Sequence, residues 1–412
     1  MTYDVEALRG QFPALRAGAA HFDGPGGSQT PTRVAQAVAD ALTSPLANRG
    51  TVTAAEQNAD AIVHGAREAM GDLLGTHPDT VIFGRSMTAN TMEMARTLAR
   101  CEQWGPGDEV VVTSLDHDAN IRPWVLAARS VGATVRWAEF DPDTTELPVE
   151  AVTGLLGART RLVAVTGASN LTGTRPELPA IIDAAHEVDA LVHVDAVHLA
   201  AHATLDREVL GVDLLSCSPY KFFGPHLGVT TGRTDLLDRL RPDKLLPSSD
   251  AVPERFELGT LAYELLAGTT AAVDFLADLA ARVGSAPQGF DGLPRRERLA
   301  TSFAALETYE DQLRERAETG LLGIDGVRVH SRAAHRTPTL LFTVDGVVPA
   351  RVHRHLAGRG VNAPASHFYA WEASHRLGLG AAGGVRVGMA PYTTPAEVDR
   401  LVDGVREVAA LG

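Results

Sequence analysis

Short apolar runs alternate with amphipathic segments along most of the chain. Seven runs rich in aliphatic and β-branched residues predict strands, at Thr80–Phe83, Glu109–Thr113, Thr134–Ala138, Leu162–Thr166, Ala190–Val194, Asp213–Cys217 and Gly228–Gly232. Helical periodicity fits between most of them, and a longer amphipathic helix, Ala54–Leu74, precedes the first strand. Strands that alternate with helices predict an α/β fold with a mostly parallel sheet covered on both faces.

The pattern changes after the seventh strand. A stretch rich in proline and serine, 240–260, predicts a long loop, and loops of this length are usually functional. Glycines and prolines in 284–294 predict a hinge before a long helix at Arg296–Gly320. The tail predicts a small α+β unit, with elements at Val327–His330, Thr339–Val344, Pro349–Ala357, Val385–Met389 and Pro395–Leu411.

The length of the chain favours more than one domain. Its 412 residues exceed what a single hydrophobic core usually organises. We expect an N-terminal segment at 1–30 that packs with the small domain, a large domain at 31–285 and a small C-terminal α+β domain at 286–412.

Composition narrows the functional class. A net charge of -14 argues against a general binder of nucleic acid or of anionic membranes. The two cysteines provide no disulfide framework, which suits a reducing cytosol. The N-terminus has no apolar run typical of a signal peptide, and no segment is long and apolar enough to cross a membrane. We therefore expect a cytoplasmic protein that binds neither nucleic acid nor membranes.

One lysine stands out in a chain that otherwise uses arginine. Of 37 basic residues, only Lys221 and Lys244 are lysines. Lys221 follows a predicted buried strand, and a desolvated lysine can become a neutral amine that attacks a carbonyl. We predict that Lys221 holds an aldehyde cofactor as a Schiff base. The alternative is a surface lysine beside a turn.

An aspartate near the end of another predicted strand complements this lysine. Asp195 precedes Lys221 by 26 residues, and strand C-termini are where α/β sheets place ligands. A carboxylate that pairs with a pyridine nitrogen and a lysine that holds an aldehyde are what pyridoxal phosphate requires. Considered alone, Asp195 would be interpreted as a helix cap or a surface ion pair.

Three further segments follow predicted strands. Asn170 could donate to the ring oxygen of the cofactor, and His117 could lie over its ring; the alternatives are an ordinary turn asparagine and a loop histidine. The segment Ser86-Met87-Thr88 opens a helix, so its N–H groups and hydroxyls could bind a phosphate. A merely capped helix is the alternative for this segment.

An arginine interrupts an apolar strand of the tail. A guanidinium at Arg386 needs an anionic partner, and a substrate carboxylate would match its bidentate geometry. A structural pair with a glutamate is the competing interpretation.

A cluster of histidine and aspartate residues near Asp195 suggests a different class of site. His193, Asp195, His198 and His202 could form a metal site, which would make the protein a metal-dependent hydrolase. Such a site would leave Lys221 and Arg386 unexplained.

The order of these residues resembles a known family. The phrases that carry the resemblance are Asp116-His-Asp-Ala-Asn-Ile-Arg-Pro-Trp124, His193-Val-Asp-Ala-Val-His198, Ser216-Cys-Ser-Pro-Tyr-Lys-Phe-Phe-Gly-Pro225 and Arg255-Phe-Glu-Leu-Gly-Thr260. The chain resembles, over nearly its whole length, the class V aminotransferases of PLP fold type I, and specifically their cysteine desulfurase-like branch. The resemblance implies a large domain with a mostly parallel seven-stranded sheet and a small α+β C-terminal domain.

The resemblance also implies roles for individual residues. The cofactor pyridoxal 5'-phosphate would be bound by Ser86, Met87, Thr88, His117, Asn170, Asp195, His198, Ser218, Tyr220 and Lys221. Among these, Lys221, His117 and Asp195 would be catalytic, and Lys221 would also move protons. Thr260 would reach the cofactor phosphate of a partner subunit in a homodimer. The substrate would contact Arg386, Gly26, Gly27, Ser366, His367 and Tyr369.

Some positions depart from the family pattern. His198 and Tyr220 stand where desulfurases usually have glutamine and histidine. The loop 361–371, which corresponds to the mobile loop that carries the persulfide-forming cysteine, contains no cysteine. We therefore expect a desulfurase-like C–S lyase that acts on cysteine or an S-substituted cysteine without a persulfide. The alternatives are a class V aminotransferase or an amino-acid epimerase.

Overall fold

The computed structural model describes residues 3–410, and thirteen strands and fifteen α-helices occur within this range. The strands are β1 (Ala20–His21), β2 (Val81–Gly84), β3 (Glu109–Thr113), β4 (Thr134–Ala138), β5 (Thr160–Thr166), β6 (Leu191–Asp195), β7 (Leu214–Cys217), β8 (Gly228–Gly232), β9 (Val327–Val329), β10 (Thr339–Val344), β11 (Val361–Asn362), β12 (Ala365–Ser366) and β13 (Gly384–Gly388). All seven strands predicted for the large domain are present, and three of them have the predicted bounds.

The helices connect and cover these strands. They are α1 (Val5–Arg9), α2 (Thr32–Thr43), α3 (Ala54–Leu74), α4 (Met87–Cys101), α5 (Arg122–Ser130), α6 (Val149–Thr153), α7 (Leu178–His186), α8 (Arg207–Leu210), α9 (Thr234–Arg239), α10 (Tyr263–Ala277), α11 (Leu279–Arg282), α12 (Arg295–Leu322), α13 (Pro349–Gly358), α14 (Trp371–Arg376) and α15 (Pro395–Ala409). None of these helices, which cover the described part of the chain, is long and apolar enough to span a bilayer.

The large sheet has the order β2-β8-β7-β6-β5-β3-β4. Only β8 runs against the others, so the sheet is mostly parallel, as predicted. Because six strands run the same way, their carboxyl ends meet at one edge. Chain order reverses around β3, whose neighbours are β4 and β5, and ligands in α/β sheets bind at such a point.

Alternate side chains of the central strands enter two different hydrophobic cores. Val111 and Val163 belong to the core on one face of the sheet, together with residues of α3 and α7. Val110 and Leu162 belong to the core on the other face, together with Trp124 of α5. The strands are apolar on both faces because helices cover both, which explains their continuous hydrophobic runs.

The C-terminal part forms a second, antiparallel sheet in the order β12-β13-β10-β9. Its strand β12 was not predicted, since two residues are too few to show a period. The capping box predicted at Thr394 and Glu397 is present at the start of α15. The predicted end of that last helix, Leu411, lies outside the described residues.

Two segments contact both cores. The first half of α12 places Phe303 in the large core, and its second half places Leu313 in the core of the small sheet. In the N-terminal segment, Phe12 packs in the large core, whereas Phe22 packs in the small one, beside the parallel pairing of β1 with β11. The division of the chain at residues 30 and 285 therefore stays a proposal.

The long loop before α10 is fixed to the large domain by a buried ion pair. Arg67 Nη2 lies 2.9 Å from Glu257 Oε2, and both side chains are almost fully buried. The pair is embedded in hydrogen bonds, because Arg67 also donates to the Val81 carbonyl and Glu257 accepts from the Phe83 amide. The C-terminal end of this loop is thus held against β2 by Glu257, and Arg67 of α3 contacts the same strand.

We predict that Arg67→Ala lowers the free energy of unfolding by about 3–5 kcal/mol, because it leaves the Glu257 carboxylate buried without its partner. The measurement is chemical denaturation followed by circular dichroism. Arg316→Ala is the matched control, since Arg316 and Asp399 form an exposed pair and should contribute at most about 1 kcal/mol. Equal effects of the two substitutions would contradict this account of the loop.

Candidate active site

A cavity of about 620 Å³ opens at the carboxyl edge of the large sheet. Its volume lies within the range of about 300–1,000 Å³ that is usual for small-molecule sites. Thirteen residues predicted for the site line it: Gly26, Met87, Thr88, His117, Asn170, Asp195, His198, Ser218, Tyr220, Lys221, Ser366, Tyr369 and Arg386. They come from loops that are far apart in sequence, and the parallel sheet brings them together.

Lys221 reaches the cavity from a 3-10 turn, Pro219–Lys221, that directly follows β7. Its Nζ donates a hydrogen bond to the carbonyl of Pro25 in the glycine-rich N-terminal loop. Burial, and then the positive charge of Arg386, lower the pKa of Lys221 to about 7. A substantial fraction of Lys221 is therefore a neutral amine near pH 7, which is the form that attacks a carbonyl.

Two buried carboxyl groups that interact with each other, Asp195 and Asp116, differ in their protonation. Burial raises the pKa of Asp195 to about 6, against the hydrogen bond of 2.9 Å that it accepts from the Val197 amide. Asp116 is fully buried and accepts from Thr113 and Asn120; burial raises its pKa to about 8. At pH 7 the arrangement keeps Asp116 protonated and leaves the negative charge on Asp195, which lines the cavity.

His117 follows β3 and presents a neutral imidazole to the cavity. Its Nδ1 accepts from the Ala119 amide at 3.0 Å, so the ring proton belongs on Nε2. Burial lowers the pKa of His117 to about 4, and the charges of Lys221 and Arg386 act in the same direction. Tyr369 stacks on the ring at a centroid distance of 5.6 Å.

The start of α4 offers unpaired N–H groups to the cavity. Ser86 is the N-cap, and its hydroxyl accepts from the Ala89 amide, whereas Met87 and Thr88 line the cavity. The first N–H groups of a helix lack partners within it and favour anions. Gly228 allows β8 to approach this turn, because a Cβ there would lie 2.1 Å from the carbonyl carbon of Ser86. This geometry is suited to a phosphate.

Arg386 in β13 is buried and makes three contacts. Its Nη2 donates to Asp23 at 2.7 Å and its Nη1 to the carbonyl of Asn170 at 3.0 Å. The guanidinium also lies 3.8 Å from the centroid of the Phe368 ring. The acidic partner is thus an aspartate of the N-terminal loop rather than the glutamate considered from sequence. Burial lowers the pKa of Arg386, although an arginine remains charged.

Asn170 and His198 also line the cavity. The Asn170 amide nitrogen donates to the Phe368 carbonyl, while its Oδ1 is buried and has no protein partner. His198 Nε2 lies 2.9 Å from the Thr337 hydroxyl and 3.0 Å from that of Thr339. Burial lowers the pKa of His198 well below its usual range, so the imidazole is neutral. Both side chains therefore have hydrogen-bonding capacity left for a ligand.

The segment that forms the outer wall is fixed in an unusual conformation. Phe368 and Tyr369 have φ angles of 51° and 57°, in the left-handed region that residues other than glycine rarely adopt. Their carbonyls accept hydrogen bonds from the Asn170 side chain and the Asp118 amide. These contacts explain how the segment tolerates such angles.

Four predicted residues do not line the cavity. Ser86 uses its hydroxyl to cap α4, and Gly27 lies against the ring of Tyr220. His367 packs edge-to-face against Trp371, and Thr260 is exposed. These four residues are therefore not part of the cavity lining.

Sequence reasoning missed several residues of the site. Asp23 and Phe368 contact Arg386, and the charge of Asp195 acts on the buried carboxyl of Asp116. Asp116 belongs to the motif 116–124, but no pattern in the sequence distinguishes its buried carboxyl from an exposed one. Asp23 lies in the glycine-rich loop, and its partner is 363 residues away, so no local signal could reveal it.

The histidines proposed for a metal site point to separate partners. His193 contacts Asn120 and Ser216, and His202 contacts Glu310. Within residues 3–410, no three histidine, cysteine or carboxylate side chains are grouped to hold a metal ion.

The cavity fits pyridoxal phosphate. It combines an amine with a depressed pKa, a carboxylate at a strand end, a neutral imidazole and the start of a fifteen-residue helix. Asn170 Oδ1 and Arg386 Nε are buried without a protein partner, so the cavity lining keeps hydrogen-bonding capacity for a ligand.

Comparison with known proteins assigns the chain to a family. The family model for class V aminotransferases matches residues 20–284 and 298–401. The uncharacterized protein MT3887 of Mycobacterium tuberculosis is 34% identical, with 100% of both chains covered. A probable cysteine desulfurase of Streptomyces coelicolor is 29% identical over 98% of this chain and 97% of the relative.

A solved structure agrees with this assignment. The cysteine desulfurase CsdA of Escherichia coli, in its S-sulfonic acid form, has a TM-score of 0.85 and 26% identity, with 100% of both chains covered. The match to the class V aminotransferase family model extends over most of the chain and includes the segments that supply the cavity residues. The chain therefore belongs to the class V aminotransferase family, with the fold of the cysteine desulfurases, and it is an enzyme that depends on pyridoxal phosphate.

Proposed function

We propose that this enzyme cleaves the Cβ–S bond of cysteine or of an S-substituted cysteine by β-elimination, without a persulfide-forming cysteine. One observation carries the proposal: Lys221, Asp195 and Arg386 line one cavity, and none of the described residues that line it is a cysteine. Relatives and a structural neighbour named as cysteine desulfurases support the choice of C–S chemistry.

Pyridoxal phosphate, when bound, supplies an aldehyde for amino groups and a ring that accepts electrons. In our proposal Asp195 keeps the ring nitrogen protonated, and His117 covers one face of the ring and excludes water. Thr88, Ser218 and the N-terminus of α4 hold the phosphate. Asn170 and His198 contact the ring oxygen; the Asn170 nitrogen has a second hydrogen available beyond the one donated to Phe368.

Arg386 and Lys221 act on the substrate in this proposal. Arg386 orients the carboxylate, and the neutral Lys221 amine accepts the α-proton at Nζ. The Cβ–S bond then breaks, and its electron pair leaves with sulfur as a thiol or sulfide. Hydrolysis of the remaining three-carbon unit gives pyruvate and ammonia.

The positions of the two cysteines support release of the sulfur rather than its capture. Cys217 in β7 is fully buried, and burial raises the pKa of its thiol. Cys101 ends α4, and its sulfur contacts the backbone of Arg241. Neither side chain lines the cavity, so neither is placed to accept sulfur from a substrate bound there.

We further propose that the enzyme is a cytoplasmic homodimer in which Thr260 contacts the cofactor phosphate of the partner. Thr260 is exposed and follows Gly259, whose φ of 81° lies in the left-handed region that favours glycine. Exposed leucines of the same region, Leu246 and Leu258, suit burial against a second copy. The two cysteines are unpaired, which is consistent with a reducing compartment.

The reaction class can be tested by the products. We expect cysteine and its S-conjugates to yield pyruvate and a thiol or sulfide in equal amounts, because β-elimination releases one of each. Lactate dehydrogenase coupling measures pyruvate, and a thiol reagent measures the sulfur product. Amino transfer to a keto acid, with neither product released, would make the enzyme an aminotransferase; racemised substrate would indicate an epimerase.

The role of Lys221 can be tested by spectroscopy, with the second lysine as a matched control. We expect the purified protein to absorb at about 420 nm, as a lysine-linked cofactor does. Lys221→Ala should abolish this band and the adduct that borohydride stabilises. Lys244→Ala should preserve both, because Lys244 lies in the long loop and pairs with Asp250. A band that survives Lys221→Ala would refute the assignment.

The pKa of Lys221 predicts how cofactor loading depends on pH. The pKa of this lysine is about 7 rather than the ordinary 10.5, so about half of Lys221 is the reactive neutral amine at pH 7 and most of it is neutral about one pH unit higher. The rate at which the apoprotein forms the visible band should rise about tenfold per pH unit below pH 7 and then level off. Stopped-flow absorbance measures this rate. A rise that continues to about pH 10 would contradict a depressed pKa.

A further inference from the structure

The guanidinium that our proposed function assigns to the substrate carboxylate is already occupied. Arg386 is 2% exposed, and its Nη2 is paired with Asp23 Oδ1 at 2.7 Å. The Asn170 carbonyl accepts from Nη1, and Phe368 covers one face of the group. A substrate carboxylate that enters this cavity therefore meets an arginine whose charge is balanced by the protein itself.

The N-terminal loop is built so that Asp23 can reach Arg386. Asp23 is bridged to Gly388, the last residue of the strand that carries Arg386. Its side chain folds back over Gly26, where an added Cβ would lie 2.4 Å from Asp23 Oδ2. The absence of a side chain at position 26 is thus what leaves room for the carboxylate.

A second carboxylate cannot simply join the first. The remaining donors of Arg386 are its Nε, which is buried without a partner, and one hydrogen on each terminal nitrogen. Two carboxylates on one buried guanidinium repel each other, since only one positive charge compensates them. The Asp23 side chain is 35% exposed, so it can leave for solvent at modest cost, whereas Arg386 is enclosed.

We propose that Asp23 is an internal carboxylate that holds Arg386 in the unliganded enzyme and that the carboxylate of the substrate displaces it. This inference rests on the proposed assignment of Arg386 to the substrate carboxylate. Asp23 then sets the affinity and the selectivity of the site, because a ligand without a carboxylate cannot offer Arg386 a replacement. Asp23 is a specificity-determining residue that need not touch the reacting atoms.

Two substitutions remove Asp23 from Arg386 by different physical means. Asp23→Asn deletes the charge and keeps the shape. Gly26→Ala keeps the charge and expels the side chain sterically; the backbone at Gly26 is compatible with alanine, because its φ is not in the left-handed region. Asp399→Asn is the control, since it deletes an aspartate from an exposed pair with Arg316.

The experiment titrates the cofactor-loaded proteins with two ligands while the visible spectrum is recorded. L-alanine carries an α-carboxylate and no β-leaving group, and ethylamine is the same amine without the carboxylate. We expect the apparent Kd of L-alanine to fall about tenfold in Asp23→Asn and in Gly26→Ala, which corresponds to about 1.4 kcal/mol. Ethylamine should bind Asp23→Asn as it binds the original enzyme, and Asp399→Asn should change neither Kd. The comparison with ethylamine is made on Asp23→Asn because Gly26 itself lines the cavity.

An L-alanine Kd that is unchanged or raised in both variants would overturn the proposal and make Asp23 a residue that merely orients Arg386. Equal tightening of L-alanine and ethylamine would also overturn it, because the effect would not depend on the carboxylate. The readout needs no C–S cleavage. Failure of the proposed lyase reaction in the product assay would therefore be seen separately from failure of the Asp23 proposal.

Discussion

Two basic side chains, Lys221 and Arg386, are enclosed in one cavity, and the other charged residues of the site are positioned to compensate them. Lys221 and Arg386 are largely removed from water, and both the burial of Lys221 and the charge of Arg386 favour the neutral form of Lys221. Asp195 and Asp23 supply the compensating negative charges, one from the large sheet and one from the N-terminal loop. Because a buried charge without a partner is costly, the positions of these four residues depend on one another.

A polar network supports the cavity from below. Asn120 connects the Asp116 carboxyl with Trp124 and with His193, and His193 continues to Ser216 of β7. The network crosses the sheet through side chains whose hydrogen bonds are all made within the protein. Buried polar groups that are fully satisfied fix one arrangement of their neighbours, so the strand ends that carry the site are held in register.

The features of this molecule that could be predicted from the sequence are those determined by residues close together in the chain. Strand and helix periodicity located the large sheet, and residues at strand ends, such as Lys221 and Asp195, could be connected because parallel strands share an edge. Contacts between distant segments had no such signal. The pairing of Asp23 with Arg386 and the left-handed backbone at Phe368 depend on how the small domain meets the N-terminal loop, which no periodicity encodes.

The fixed outer wall of the cavity has a consequence for protein engineering. A persulfide carrier needs a thiol on backbone that can leave the site with its sulfur. Here the carbonyls of Phe368 and Tyr369 are held by the large domain, and the Phe368 ring covers Arg386. Ser366 lines the cavity, so a cysteine at position 366 would supply a nucleophile. The anchored segment would keep that cysteine in the site after it had accepted the sulfur. A sulfur carrier built on this scaffold would therefore need this segment to be freed from both of the hydrogen bonds that hold it.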